Sequence, residues 1–437
     1  MTLISRRRFL AEATVLSAGV AILPRPARAQ QRTLRIMQWT HVVPEYDHWF
    51  DDVFCKQWGQ RHDTRVVVDH ISIGEINARA AAEVAAGRGH DLFMFLWPPA
   101  AFERQTIDHR EVYEIAAARH GKPIDLAHKS TYNPRTKRYF AFSDSYVPAP
   151  GNYRQDLWSQ VGYPNGPSSW DDLREGSRAI KEKSGHPCGL GLSHELDTNM
   201  TLRALLWSFG GSEQDAEGNV AINSPQTIEA LKYMRALFKE AETPEVFTFD
   251  PTSNNRGILS GKLSFVQNAI SVTRAAEKAN LEMSRKIQLT PALQGPKQRI
   301  AAEHALSCYV IWSFAENKEG AKHFLVDYVD ALGEAFRASE FYNFPCFPQT
   351  VPDLPGLIAN DPSASPPDKY KVLANALDWT TNTGYPGYTT AAIDEAFNTF
   401  QLPTMFARVA RDELTPAEAA RAAERELKRI FAKWNHD

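Results

Sequence analysis

Thr33-Leu34-Arg35-Ile36-Met37-Gln38-Trp39 and Asp91-Leu92-Phe93-Met94-Phe95-Leu96 decide the fold class. The first stretch alternates, the period of a strand with two unlike faces, and gives way to a polar, aromatic loop from Thr40 to Tyr46. The second is a continuous apolar run suited to a parallel strand covered on both faces. Between them Phe50, Val53, Phe54 and Trp58 recur at helical spacing over 47–62, and Val66 and Val68 alternate over 64–70. An alanine-rich helical stretch over 73–86 is closed by Gly87. Strand, helix, strand, helix, strand is the opening of an α/β sheet.

Working outward, Val147-Pro148-Ala149-Pro150-Gly151 separates this unit from the next helical pattern, 154–161, and reads as a crossing between two lobes. Further helices are predicted over 179–183, 201–209, 224–240 and 318–332. Ser224-Pro225 and Asn317-Lys318-Glu319 supply a capping side chain followed by proline or charge. The chain closes with Thr415-Pro416-Ala417-Glu418 opening a helix that carries Leu427, Ile430, Phe431 and Trp434 on one face. No internal repeat or low-complexity tract interrupts the pattern.

The amino end reads as an export address. Arg6-Arg7-Arg8 precede Phe9-Leu10, a mildly apolar run continues to Leu23, and Ala27-Arg28-Ala29 is a small-x-small end. The arginine pair and the dilution of the run by Glu12, Ser17 and Gly19 predict the twin-arginine route, with an ordinary cleaved signal as the alternative. The run is shorter than the roughly 20 residues of a spanning helix. A mature chain is then expected to begin at Gln30, in the periplasm. Removing residues 1–29 takes away five arginines and one acid and lowers the formal charge from −3 to −7. No basic stripe appears, which argues against nucleic acid as a partner. Cys55, Cys188, Cys308 and Cys346 have no paired spacing, so zinc is not suggested; buried thiols are favoured over a disulfide.

Catalytic signatures are missing. There is no HExxH. Gly257-Ile258-Leu259-Ser260-Gly261 has one residue too many for a nucleophile elbow, and with Lys262 and Leu263 it fails as a phosphate loop. Gly189-Leu190-Gly191 lacks the third glycine of a dinucleotide loop and is expected to be a tight turn. His41 with His48 and His186 with His194 are spaced too loosely for one helical metal face. What remains is a set of aromatic residues: Trp39, His41, Tyr46, Trp97, Tyr146, Trp207, Tyr342, Trp379, Tyr385 and Tyr388. Sugar C–H faces pack on flat rings while hydroxyls need polar side chains, so this mixture suits a polyol. Trp39 and Trp97 stand just past the carboxyl ends of predicted strands, where open α/β sheets bind ligands.

Asn152-Tyr153-Arg154-Gln155-Asp156-Leu157-Trp158, followed by Gly162 and Pro167-Ser168-Ser169-Trp170-Asp171-Asp172-Leu173, resembles the family 1 extracellular solute-binding proteins of sugar ABC importers, relatives of maltose-binding protein. Gly210-Gly211 with Asp215-Ala216-Glu217-Gly218 and Asn223-Ser224-Pro225 agree in order, as do 258–265, Asn317-Lys318-Glu319-Gly320-Ala321 with Phe324-Leu325, and 415–419. The resemblance covers nearly the whole mature chain. It implies an α/β, two-lobed periplasmic binding protein of type II, each lobe a mainly parallel sheet flanked by helices, with hinge crossings. Residues 30–147 plus 268–316 are expected in the first lobe and 148–267 plus 317–437 in the second. Glu303-His304 replaces the family's frequent glycine pair and puts a charged and a titratable group near the cleft.

These readings predict a monomeric receptor, not an enzyme, without cofactor or metal, that closes on a carbohydrate or small polyol and delivers it to ABC permease subunits. The expected ligand contacts are Trp39, His41 and Trp97 from the first lobe, Tyr146 at the first crossing, Asn268 near the second, Glu303 and His304 on the returning segment, and Tyr342 and Tyr385 from the second lobe. The alternatives are a charged solute such as a glycerophosphodiester or polyamine, a twin-arginine-exported enzyme, and a receptor coupled to sensing.

Overall fold

In the computed structural model the described residues are 32–435, with the side chain of Asn435 outside them. The export stretch at 1–29 lies outside the described residues. Strands β1 (Arg32–Trp39), β2 (Thr64–Ile71), β3 (Leu92–Phe95) and β4 (Phe142–Val147) form most of a first sheet. The chain then crosses through Pro148-Ala149-Pro150 to β5 (Gly151–Arg154), β6 (Phe265–Gln267) and β7 (Ile287–Thr290), which make a second sheet. It returns past β8 (Ala301–Ala302) into β9 (Ala305–Ile311) and β10 (Phe344–Pro345) of the first sheet, and β11 (Thr380–Thr381) pairs with β8. The first sheet has the order β10-β4-β9-β3-β1-β2 and the second β6-β5-β7.

The opening β-α-β-α-β unit forms as the hydrophobic periods predict. Ile36 sits beside Val68 on one side and Leu92 on the other, all in parallel register. Helix Ile76–Ala86 ends at Gly87, whose φ of 59° is the left-handed cap that glycine adopts without a Cβ penalty. Within the two larger sheets, parallel pairing is confined to β1, β2 and β3. Strand β9 runs antiparallel to both β3 and β4, and β5 is antiparallel to β6 and β7. These strands arrive by lobe crossings and long excursions rather than by the tight helical crossover that enforces parallel pairing.

The lobe boundaries expected from sequence change accordingly. Strand β6 pairs Val266 with Asn152, and β7 pairs Leu289 with Asn152, so the chain from 265 to 290 stays with the second sheet instead of returning at 268. Conversely, helix Lys318–Asp330 packs on the first sheet. Its Phe324 meets Phe54 and Trp58 at 5.3 and 5.2 Å between ring centroids, and Tyr328 hydrogen-bonds Tyr46. Its cap Asn317 accepts from Gly320 N at 3.0 Å and donates to Thr33 O of β1 at 2.9 Å. The chain leaves the first lobe for the last time only after β10, which places Tyr342 in the first lobe. Sequence order alone suggested a switch at 317; the aromatic face of that helix decided otherwise.

In the second lobe, Ser169 and Asp172 form the reciprocal capping box at the start of helix Trp170–Ser184, and Trp170 packs edge-on against Tyr233 at 5.8 Å. Gly189 and Gly191 lie outside any turn; a Cβ there would strike Leu263 and Thr198. All four cysteines are buried free thiols. Helix Leu196–Ser208 is buried along its whole length and runs beside β8.

Candidate functional site

The carboxyl end of β1 and the loop after it build a wall on the first lobe. Trp39 lies 4.9 Å from His41 between ring centroids, and Tyr342 meets His41 edge-on at 5.2 Å. Val43 N donates to His41 Nδ1 at 2.9 Å, and His41 Nε2 lies 3.2 Å from Asn343 Oδ1. Asp47 accepts from the His41 backbone N–H at 3.0 Å. Burial lowers the His41 pKa to about 4, so this imidazole is neutral at physiological pH.

Facing the wall is a polar cluster from the second lobe. Glu195 caps helix Leu196–Ser208, accepting from Asp197 N at 2.6 Å and Thr198 N at 2.5 Å. The cap holds Asp197 in the first turn. Asp197 Oδ2 accepts from Asn254 Nδ2 at 2.7 Å and Asn268 Nδ2 at 2.8 Å. The Asn268 amide also reaches Asn255 Oδ1 at 2.6 Å. Burial, with the neighbouring acid adding to it at Glu195, raises both carboxyls far above the usual range, so this pair retains protons near neutrality.

His304 joins the two sides. Its Nε2 stands 3.6 Å from Asp197 Oδ1, and burial lowers its pKa to about 4. With a neutral imidazole beside a carboxyl that tends to keep its proton, the contact is dipolar rather than an ion pair. The buried Asp197 also raises the Tyr342 phenol, behind the larger effect of burial. Trp39, His41, Tyr342, Asn268 and His304 thus converge on one interlobe region.

The other expected contacts have partners of their own. Trp97 packs against second-lobe Phe397 at 5.7 Å, with its indole Nε1 unpartnered, and forms a separate interlobe contact. Tyr146 lies under Phe344, its cross-strand neighbour, at 5.6 Å. Glu303 is fully buried and its Oε1 takes both Thr383 N and Thr383 Oγ1, at 3.2 and 2.7 Å. Tyr385 packs on Trp207 and approaches Gln298. Asp197, Asn254 and Asn255 were missed because the sequence pattern placed the helix start at 201, after the first turn; the acid-rich Glu195-Leu196-Asp197 was the available signal.

The lobes also meet elsewhere. Asn77 donates to Asn398 at 2.7 Å, Ala101 N to Asp394 at 2.8 Å, and Thr389 N to Lys129 O at 2.9 Å. Beside the cleft, Arg203 is fully buried and committed to Glu213 at 2.8 Å, with its guanidinium 4.9 Å from the Phe397 ring centroid. Among the described residues no group of three or more His, Cys, Asp or Glu is arranged to hold a metal, and no helix is long and apolar enough to cross a membrane.

Comparison with known proteins agrees with this architecture. A Synechococcus sp. MITs9220 oligosaccharide periplasmic-binding protein, solved with zinc, superposes with a TM-score of 0.78 at 18% identity, covering 92% of this chain and 100% of that one. A laminaribiose-bound sugar transporter protein from Arthrobacter chlorophenolicus A6 gives 0.75 at 15% identity, covering 91% and 99%. A ribitol-bound ABC transporter solute-binding protein from Agrobacterium radiobacter K84 gives 0.72 at 17%, covering 92% and 99%. These likenesses establish the fold. In sequence, a Brucella abortus (strain 2308) protein described as a binding protein is 23% identical over 171 residues, 39% of this chain and 41% of the relative. A Deinococcus radiodurans protein named for ABC-transporter binding is 27% identical over 157 residues, 34% of this chain and 37% of the relative. The chain thus matches less than half the length of these curated relatives. The model of the bacterial extracellular solute-binding protein family matches residues 43–329. With that match spanning most of both sheets, the chain belongs to the bacterial extracellular solute-binding proteins.

Proposed function

We propose that this protein is the periplasmic solute receptor of an ABC importer, closing by hinge motion on a carbohydrate or small polyol and passing it to a membrane permease without making or breaking a bond. The observation that carries the reading is the Asp197-Asn254-Asn255-Asn268 cluster of the second lobe set against the Trp39-His41-Tyr342 wall of the first. Rings pack on C–H faces, and a carboxyl among amides and a neutral imidazole exchanges hydrogen bonds with hydroxyls. Ligand contacts made only when the lobes meet favour the closed state. Relatives of this fold carry laminaribiose and ribitol, which agrees with the ligand class. Export of a monomer through the amino-terminal twin arginines completes the proposal.

A charged solute is the second reading, and the cleft favours a cation over a glycerophosphodiester. A bound cation would draw protons off Glu195 and Asp197, which otherwise retain them, whereas the neighbouring Arg203 is already neutralised by Glu213. The test is thermal stabilisation across neutral sugars, polyols, polyamines and phosphodiesters, with mass spectrometry of any small molecule that copurifies. A ligand that binds only the native state must raise its apparent stability. Stabilisation by a neutral polyol supports the first reading, stabilisation by amines alone the second, and none across the panel contradicts both.

A further inference from the structure

Two cations on one second-lobe helix reach across to the first lobe beside the aromatic wall. Helix Ser271–Ala279 puts Val272 into a small apolar cluster with Ile258, Leu263, Val266 and Ile287, which ties it to the second sheet. Four residues apart on it, Arg274 and Lys278 both address Glu340, in the first-lobe turn just before β10. Lys278 Nζ lies 2.7 Å from the Glu340 carboxylate and 2.7 Å from Glu45, on first-lobe helix Pro44–His48. Arg274 Nε donates to the Glu340 carbonyl at 2.9 Å, and its guanidinium stands 5.8 Å from the Phe341 ring centroid. The rest of that guanidinium is fixed within its own lobe by Asp361 at 2.6 Å, Glu277 at 2.9 Å and the Tyr370 ring at 4.1 Å.

The turn these cations hold has an unusual backbone. Glu340 and Phe341 have φ of 53° and 64°, two successive side-chain-bearing residues in the left-handed region. Such a conformation persists only where the surroundings over-determine it. The next two residues are Tyr342, which lies edge-on to His41, and Asn343, which hydrogen-bonds His41. The shape of this turn therefore sets the shape of the ligand wall.

We infer that Arg274 and Lys278 form an ionic clasp that favours lobe closure and, through the Glu340–Phe341 turn, positions Tyr342 and Asn343 as the lobes meet. The two are positioning residues; neither needs to touch the ligand. The inference rests on the hinge reading proposed above. Lys278 is the better test because it is partly exposed, whereas Arg274 belongs to a buried ion network whose removal threatens folding.

The experiment needs no ligand. Nitroxides on Gln57→Cys and Glu182→Cys, at exposed helical positions of the two lobes, report the interlobe distance by double electron–electron resonance, since the four native thiols are buried. Lys278→Gln is expected to raise the open-to-closed ratio by roughly two- to five-fold at low salt, the range of a partly exposed ion pair. Lys278→Arg restores the wild-type ratio, Glu45→Gln shifts it in the same direction as Lys278→Gln, and 1 M salt narrows the differences. In protein labelled with 3-fluorotyrosine, the Tyr342 resonance, assigned through Tyr342→Phe, moves with the open fraction in Lys278→Gln and returns in Lys278→Arg. A wild-type distribution already fully open, or one unchanged by Lys278→Gln, overturns the clasp and leaves the hinge intact. A single short distance in every variant at every salt concentration overturns the hinge reading itself.

Discussion

Replacing Asp197 by asparagine is predicted to raise stability relative to wild type progressively above about pH 4, so that the gain is larger at pH 8 than at pH 5. Burial, reinforced at Glu195 by the neighbouring Asp197, keeps protons on the wild-type pair in the folded state, while the same carboxyls ionise near pH 4 when unfolded. Because the folded form binds more protons, the contribution of the pair is fully present below about pH 4 and is lost as pH rises through the native titration. An asparagine has no proton to lose. Its Oδ1 can still accept from Asn254, as Asp197 Oδ2 does at 2.7 Å, and its Nδ2 can face His304 Nε2 across the present 3.6 Å. Each unit of upward shift is worth about 1.4 kcal/mol, so the variant should gain about 1–4 kcal/mol relative to wild type between pH 5 and pH 8. Asp197→Ala differs at pH 5. Asn268 retains Asn255 as an acceptor, but the Asn254 amide loses Asp197, costing about 1–3 kcal/mol for a buried unsatisfied donor. Urea denaturation of the three proteins at pH 5, 6, 7 and 8 measures these differences. A wild-type-minus-asparagine difference that stays constant with pH would refute the buried-acid description. With ligands, the asparagine variant should keep stabilisation by a neutral polyol and lose stabilisation by an amine.

Glu213→Gln should cost about 3–5 kcal/mol in urea denaturation, because it leaves the fully buried Arg203 guanidinium without its charge partner; Arg203→Leu with Glu213→Leu should recover most of that loss. Trp97→Ala should cost about 3–5 kcal/mol through the cavity opened against Phe397, read as a lower urea midpoint. Cys55, Cys188, Cys308 and Cys346 should resist a thiol reagent in the native protein and all react after denaturation, with or without prior reduction.

The two-lobed α/β fold was legible because its signals are local or repeated. The alternation of Thr33–Trp39, the apolar run at 92–95 and the Gly87 stop recur in the structure as β1, β3 and a capped helix. The Pro148-Ala149-Pro150 crossing was equally local, since proline removes backbone donors at the point where one sheet ends. Sheet membership after residue 267 was not legible. Whether β7 returns to the first or second sheet depends on pairing with Asn152, more than a hundred residues earlier, and the side to which helix Lys318–Asp330 belongs depends on Phe324 finding Trp58. At the site, Trp39 and His41 were visible because they follow a recognisable strand. Asp197 was hidden because its role comes from side chains at 195, 254 and 268, a convergence created only by folding.

The most direct measurement is small-angle X-ray scattering on protein freed of small molecules by unfolding and refolding, before and after addition of the compound that stabilises it most, with the compound recovered and analysed afterwards. A solute receptor of this kind should contract on binding, with a lower radius of gyration, and return the compound chemically unchanged. An unchanged radius of gyration at saturation, or a compound recovered as product, would contradict hinge closure on a transported solute.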